Sequence, residues 1–207
     1  IRAGFPYLER PARNGEALAY LDWAATSQKP ASVITTEADF YRTSNGAAGR
    51  STYQLADEAT ATFEDARDAV AAFVGARGSE LVFTKNATEA INLVALAIGH
   101  ASQGRSAARG GGPAAADDPA RRLIIGEGDE VVVTRAEHHA NLVPWQLLSQ
   151  RTGCEFAYLD LDPQGRIDLE TLDAITPNTK VVAVTHASNV SGAITDIAPI
   201  IKAAHDV

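Results

Sequence analysis

The sequence contains no methionine and a single cysteine, Cys154, among its 207 residues. One cysteine excludes an internal disulfide framework and fits a reducing compartment, so we expect a cytoplasmic protein. No apolar run reaches the roughly 20 residues that a membrane helix needs, which predicts no membrane partner. Basic residues are scarce too, since the net charge is −8, and this argues against nucleic acid as a general partner.

The ends of the sequence suggest a longer gene product. The chain begins at Ile1 rather than at methionine, and a helical pattern runs almost to Val207. We therefore expect further residues after Val207, and the presence of a targeting segment before Ile1 stays open.

The composition is that of a globular protein, with 45% hydrophobic and 21% charged residues. Apolar periodicity predicts strands over 19–22, 80–84, 131–134, 153–161 and 180–185, and helices over 54–74, 89–98 and 196–205. This alternation predicts an α/β fold with a mostly parallel sheet flanked by helices.

The most informative stretch is Val131–Leu148. A β-branched run ends at Thr134, and Pro144 is predicted to take the first helical position of the following helix. Between them lie the polar residues Glu137, His138, His139 and Asn141. Ligands bind at the carboxyl ends of parallel strands, but a plain solvated loop fits these residues equally well.

A second polar turn, Lys85–Thr88, joins a predicted strand to a predicted helix. Free backbone N–H groups, the positive end of the helix dipole and the Thr88 hydroxyl would together bind an anion. Alternatively, Thr88 simply caps the helix, and the pattern alone favours the cap.

Three histidines, His138, His139 and His186, raise the question of a metal site. No carboxylate or cysteine stands at a metal-ligand spacing from them, so we expect no metal. His186 is more typical of a histidine satisfied inside a core.

The segment 136–146, AEHHANLVPWQ, resembles the motif E-H-H-A-N-x-x-P-W of the Suf-type cysteine desulfurases. These belong to the class V branch of the fold-type I enzymes that use pyridoxal 5'-phosphate (PLP). Three further segments resemble the family: 20–30 (YLDWAATSQKP), 84–93 (TKNATEAINL) and 185–192 (THASNVSG). A fourth departs from it, because 49–53 keeps Arg50 and lacks both histidines of the usual H-R-G-x-H.

The resemblance implies roles for individual residues. His138 would stack on the cofactor ring as the catalytic histidine, and Ala87 N–H and Thr88 would bind the cofactor phosphate. Asn189 would hydrogen-bond the 3′ oxygen of the cofactor and help to hold the substrate carboxylate. Ala25 lies in the loop of small residues where substrate would approach the backbone.

The resemblance also implies a domain organisation. Residues 1–19 would be an N-terminal lead-in, and 20–207 would be the first part of a large PLP-binding domain. Residues 100–122 are low in complexity and would form a flexible insertion. Family members act as homodimers.

The implied activity converts L-cysteine to L-alanine and passes the sulfur, as a persulfide, to an acceptor protein of iron–sulfur cluster assembly. The Schiff-base lysine and the cysteine nucleophile of the family match no position of this sequence, so Cys154 is predicted to be a buried filler. The chain alone is expected to be inactive. The alternatives are a selenocysteine lyase or another class V enzyme, and a non-catalytic binding module.

Overall fold

The structure is a computed structural model that describes residues 1–49, 51–104 and 123–207. Within these residues the chain divides into two units, Ile1–Phe83 and Thr84–Val207. The predicted insertion over 100–122 lies outside the described residues from 105 onward. The predicted division into residues 1–19 and 20–207 remains a prediction.

The first unit is helical. Its helices are α1 (Pro6–Glu9), α2 (Ala31–Thr43) and α3 (Gln54–Phe73), with short 3-10 helices at Arg2–Gly4 and Gly78–Glu80. Pro30 immediately precedes α2 as its N-cap, where its missing N–H costs nothing. The prediction of a long amphipathic helix over 54–74 is confirmed by α3 to within one residue.

Gly75 ends α3 through a left-handed turn. Its φ is 74°, a conformation that side chains with a Cβ rarely adopt. The amide of Ala76 donates to the Ala71 carbonyl at 2.8 Å, and the Gly75 amide donates to Ala72 at 3.2 Å. This pair of bonds is the Schellman motif, and it satisfies carbonyls that the helix end would otherwise leave free.

The strands predicted over 19–22 and 80–84 are wrong. Residues 19–22 and 81–84 form no strand in the part of the chain that the structure describes, and Gly78–Glu80 is a 3-10 helix. Leu81 has extended backbone angles (φ −98°, ψ 126°), but a strand exists only when a neighbouring strand pairs with it. Two hydrogen bonds from Arg77 lower the pKa of the Glu80 carboxyl. The larger effect comes from the guanidinium and the smaller from the backbone amide.

The second unit contains a three-stranded sheet. Its strands are β1 (Glu130–Thr134), β2 (Glu155–Leu159) and β3 (Thr179–Ala183), and its helices are α4 (Ala87–Gly104), α5 (Val143–Thr152) and α6 (Ala198–His205). The strand order is β2-β1-β3, and both pairings are parallel. The predicted α/β fold with a parallel sheet flanked by helices is therefore confirmed.

Side chains of β1 point alternately into two cores. Val131 and Val133 join Trp145 and Leu148 of α5 on one face, whereas Val132 lies on the other face. All three valines are 0% exposed, which explains why β1 reads as an uninterrupted β-branched run. Cys154, at 3% exposure, belongs to the first core, as predicted.

The connections that follow β1 and β3 leave the sheet on opposite faces. Helix α5 follows β1 and packs on the face of Val131, whereas α6 follows β3 and packs through Ile200 on the face of Val132. Two adjacent parallel strands with diverging connections form a switch point, where a crevice opens between the loops. The fold thus places a switch point, the usual position of a ligand site in open α/β sheets, between the loops after β1 and β3.

Smaller differences concern element ends. Helix α4 begins at Ala87 and ends at Gly104, beyond the predicted 89–98, and α5 begins one residue before Pro144, which takes the second helical position. A further 3-10 helix, Leu169–Ala174, lies between β2 and β3. No helix in the described ranges combines the length and apolarity needed to cross a membrane.

Candidate functional site

The carboxylate of Glu137 holds the loop after β1. Its Oε1 accepts hydrogen bonds from the Thr134 hydroxyl at 2.8 Å and from the Thr185 amide at 2.7 Å. Its Oε2 accepts from the side-chain amide of Asn141 at 2.8 Å. Because Thr185 follows β3, this one carboxylate joins the loops that follow β1 and β3.

Asn141 connects this carboxylate to the core. The indole N–H of Trp145 donates to Asn141 Oδ1 at 3.0 Å, and Trp145 is only 4% exposed. An indole nitrogen only donates, so Asn141 must present its oxygen to Trp145 and its NH2 group to Glu137. The buried tryptophan therefore fixes the orientation of the Asn141 amide.

The sequence alone implies no role for Glu137. A glutamate in a polar loop resembles a solvated side chain, and the Thr185 amide that identifies its function lies 48 residues further along the chain. The available local signal was the spacing of Glu137 to Asn141 and Asn141 to Trp145, since residues four apart come close within helical turns.

His138 begins the 3-10 helix His139–Asn141 as its N-cap. Its Nδ1 accepts a hydrogen bond from the Ala140 amide at 3.1 Å. An imidazole nitrogen that accepts carries no proton, so the neutral ring carries its proton on Nε2. His138 is exposed, and its ring lies 6.2 Å from that of His139 between centroids.

His186 is not a core histidine, and that prediction is wrong. The residue is exposed in the loop after β3, where its carbonyl accepts from the Thr195 amide at 3.1 Å. Within the described residues, no three His, Cys, Asp or Glu side chains converge as a metal site would require.

The first turn of α4 is capped by Asn86, not by Thr88. Asn86 Oδ1 accepts from the Glu89 amide at 2.9 Å, and the Glu89 carboxylate accepts from the Lys85 amide at 2.6 Å. The cap predicted for Thr88 is therefore wrong. Ala87 and Thr88 are exposed, and within the described residues no acceptor meets their amides. These donors remain available to an anion.

The first turns of α4 lie near the carboxyl end of β1 in space. Asn92, near its start, lines the same small cavity as Pro144 in the first turn of α5. Near its other end, the Ser102 hydroxyl accepts from the Ile125 amide at 3.0 Å, ahead of β1. The start of α4, with the open amides of Ala87 and Thr88, therefore lies toward the end of the sheet where the His138 loop begins.

Asn189 lies at the tip of a closed turn after β3. The Gly192 amide donates to the Ser188 carbonyl at 2.9 Å, and the Ser188 hydroxyl accepts from the Val190 and Ser191 amides, both at 3.2 Å. Asn189 is exposed, and no described residue engages its side-chain amide. The backbone of the turn is fixed while this amide remains free to meet a ligand.

Ala25 belongs to the first unit, Ile1–Phe83, so its substrate role stays a prediction. It is exposed in a turn closed by the Thr26 amide donating to the Asp22 carbonyl at 3.1 Å. The Tyr20 hydroxyl donates to the Thr26 carbonyl at 2.6 Å, which fixes the far side of this turn.

The pattern that defines the Aminotransferase class-V family matches residues 19–108 and 113–207. The chain belongs to the class V aminotransferase family. The interruption at 109–112 falls inside the segment that the sequence predicts to be an insertion.

Similar proteins are named cysteine desulfurases. A probable cysteine desulfurase 2 from Mycobacterium leprae is 44% identical over all of this chain and 45% of its own length. A cysteine desulfurase from Enterobacter sp. is 42% identical over 99% of this chain and 45% of its own. The chain of this class V protein thus spans about 45% of the length of these curated relatives.

Solved structures of cysteine desulfurases superpose on this chain. A cysteine desulfurase from Escherichia coli superposes with a TM-score of 0.74 at 35% identity, covering 99% of this chain and 45% of that one. An apo cysteine desulfurase from Thermococcus onnurineus superposes with a TM-score of 0.73 at 34% identity, covering 88% of this chain and 40% of that one.

Proposed function

We propose that this class V protein is part of a PLP-dependent cysteine desulfurase of the Suf type. The observation that carries the proposal is the hydrogen bond between Glu137 and the Thr185 amide, 2.7 Å long. It joins the loops bearing His138 and Asn189 at the switch point of the sheet. The names of the relatives support the same activity.

The donors at this edge fit PLP group by group. A phosphate needs several N–H and O–H donors, and the Ala87 and Thr88 amides and the Thr88 hydroxyl would supply them. The flat ring needs a planar partner, which His138 provides. A phenolic oxygen needs a neutral donor, and the free amide of Asn189 is one.

The bound cofactor would supply an electron sink for bond cleavage next to the substrate amine. The residues of this chain would orient and protonate. The dipole of α4 would hold the phosphate, and Ala140, by donating to Nδ1 of His138, leaves Nε2 as the position that carries a proton. Asn189 would hold the 3′ oxygen and the substrate carboxylate without adding a charge.

The reaction of the whole protein is part of the proposal. L-cysteine would be converted to L-alanine, and the sulfur would leave as a persulfide for an acceptor protein of iron–sulfur cluster assembly. The covalently attached lysine and the nucleophilic cysteine match no position of these 207 residues. A homodimer in the cytoplasm agrees with the resemblance and with the single cysteine.

Calorimetric titration with PLP tests the cofactor site directly. Thr88→Val keeps the shape of the side chain and removes its hydroxyl. A hydrogen bond to a charged group contributes about 1.5–3 kcal/mol, so PLP affinity should fall about 10- to 100-fold. Inorganic phosphate should compete with PLP in the unmodified chain and much less in the variant.

Thr62→Val is the matched control, because Thr62 is an exposed helical threonine of the other unit whose hydroxyl donates to the Glu58 carbonyl. It should bind PLP as the unmodified chain does. Equal affinities for the unmodified chain and Thr88→Val, or no binding by either, would contradict the proposed site.

A further inference from the structure

We propose that Glu137 is a positioning residue that clamps the His138 loop to the Asn189 loop, and that its function requires a side chain that only accepts hydrogen bonds. The purpose of the clamp, presenting two loops to PLP, rests on the proposed function. The clamp itself rests on contacts among Thr134, Glu137, Asn141, Trp145 and Thr185.

Every group around the Glu137 carboxylate donates. The Thr185 backbone amide N–H can only donate a hydrogen bond. The Thr134 hydroxyl accepts from the Ala136 amide at 3.1 Å and donates its proton to Glu137 at 2.8 Å, because an ionised carboxylate can only accept. The Asn141 NH2 group faces the carboxylate because Trp145 occupies the oxygen of that amide.

The clamp sets the position of the loop after β1 relative to the loop after β3. Thr134 is 1% exposed at the end of β1, and Glu137 is partly buried, so lost bonds would not be replaced freely by water. His138 follows Glu137 directly, with consecutive Cα atoms about 3.8 Å apart. A displacement of Glu137 therefore moves His138 relative to the loop after β3.

Glu137→Gln tests the acceptor requirement with almost no change in shape. The new amide has one oxygen and one NH2 group. If the oxygen serves Thr134 and Thr185, the NH2 group faces the NH2 group of Asn141, and two donors meet. If the new amide is flipped, its NH2 group faces the Thr134 hydroxyl and the Thr185 amide. Two donor–donor contacts then replace one.

Adding Asn141→Asp should repair the variant. The new carboxylate accepts from the Trp145 indole and from the new NH2 group, while the new amide oxygen accepts from Thr134 and Thr185. The double variant E137Q/N141D also keeps the net charge of the chain, so a restored property reports hydrogen-bond direction. Asn141→Asp alone places two carboxylates against each other.

Amide hydrogen exchange of the 207-residue chain, read by NMR without PLP, measures the clamp. We expect the Thr185 amide to exchange at least about tenfold faster in each single variant and within about threefold of the unmodified rate in the double variant. The Val132 amide, inside the sheet core, should keep its rate in all folded variants. A PLP titration should follow the same order, weakened in the singles and restored in the double.

Glu130→Gln is the matched control. Glu130 stands at the other end of β1, where its carboxylate accepts from the Thr176 hydroxyl at 2.6 Å and the Thr179 hydroxyl at 3.1 Å. This variant should leave Thr185 exchange and PLP affinity unchanged, although it removes a comparable carboxylate.

An unchanged Thr185 rate in Glu137→Gln, or a double variant no better than the singles, would overturn the clamp. If the single variants fail to fold, recovery of a folded, protected double variant supports the proposal and its absence overturns it. Failure of the unmodified chain to bind PLP would instead remove the proposed function, while the exchange rates would still decide whether the clamp exists.

Discussion

Alkylation of Cys154 by iodoacetamide should be slow in the native chain and fast after denaturation. Cys154 is 3% exposed and packs among Val131, Val133, Trp145 and Leu148. A reagent larger than water cannot reach the sulfur unless the start of β2 opens. The labelling rate therefore reports the free energy of that opening.

The structure gives a minimum for this free energy. Opening the segment breaks the bonds from Gly153 N to Ser149 O at 2.8 Å, from Ser149 Oγ to Cys154 O at 2.6 Å and from Glu155 N to Asp129 O at 2.8 Å. At about 1 kcal/mol each, these cost about 3 kcal/mol, which slows labelling about 100-fold relative to the unfolded chain. Loss of the apolar packing adds to this factor.

The assay is mass spectrometry of the intact chain after timed labelling, in buffer and in denaturant. Cys154→Ser provides the blank, since the sequence has no second cysteine. Native labelling within tenfold of the denatured rate would refute the reasoning. Persulfide on Cys154 after addition of L-cysteine would show that this thiol is the nucleophile.

Two further substitutions test the core and a helix end by urea unfolding. Leu148→Ala should lower the free energy of unfolding by about 2–5 kcal/mol because Leu148 is 2% exposed, whereas its neighbour Leu147, at 41%, should cost about 1 kcal/mol or less; similar losses would contradict the described face of α5. Gly75→Ala should cost about 1–2 kcal/mol because φ is 74° there. Gly4→Ala, with open space around it, should be neutral, and a neutral Gly75→Ala would argue against the left-handed turn.

Elements with a strong local pattern were predictable from sequence. Helix α3 repeats apolar residues over five turns and is followed by a glycine. Residues close in sequence therefore determine both that this segment is helical and where the helix ends. Strand β1 is a β-branched run with both faces buried, which the sequence shows as Val131–Thr134. The resemblance added roles for His138 and Asn189 that local patterns do not contain.

Elements decided by distant partners were not predictable in the same way. Residues 80–84 have strand-like side chains, but pairing depends on another strand and not on composition. At the start of α4, Asn86 and Thr88 are both competent caps, and the helix begins at Ala87, two residues earlier than the apolar pattern suggests. The choice of Asn86 is what leaves the Thr88 hydroxyl available.

Glu137 shows that a motif can indicate a candidate site without showing which contacts hold that site together. A motif records which side chains recur together, and EHHAN identifies the histidine that would meet a cofactor. It does not show that the Trp145 indole fixes the orientation of the Asn141 amide, or that Asn141 then donates to Glu137. It also does not show that Glu137 accepts from the Thr185 amide in the loop after β3. Because each donor in this series fixes the next acceptor, the direction of the whole series follows from one buried indole N–H.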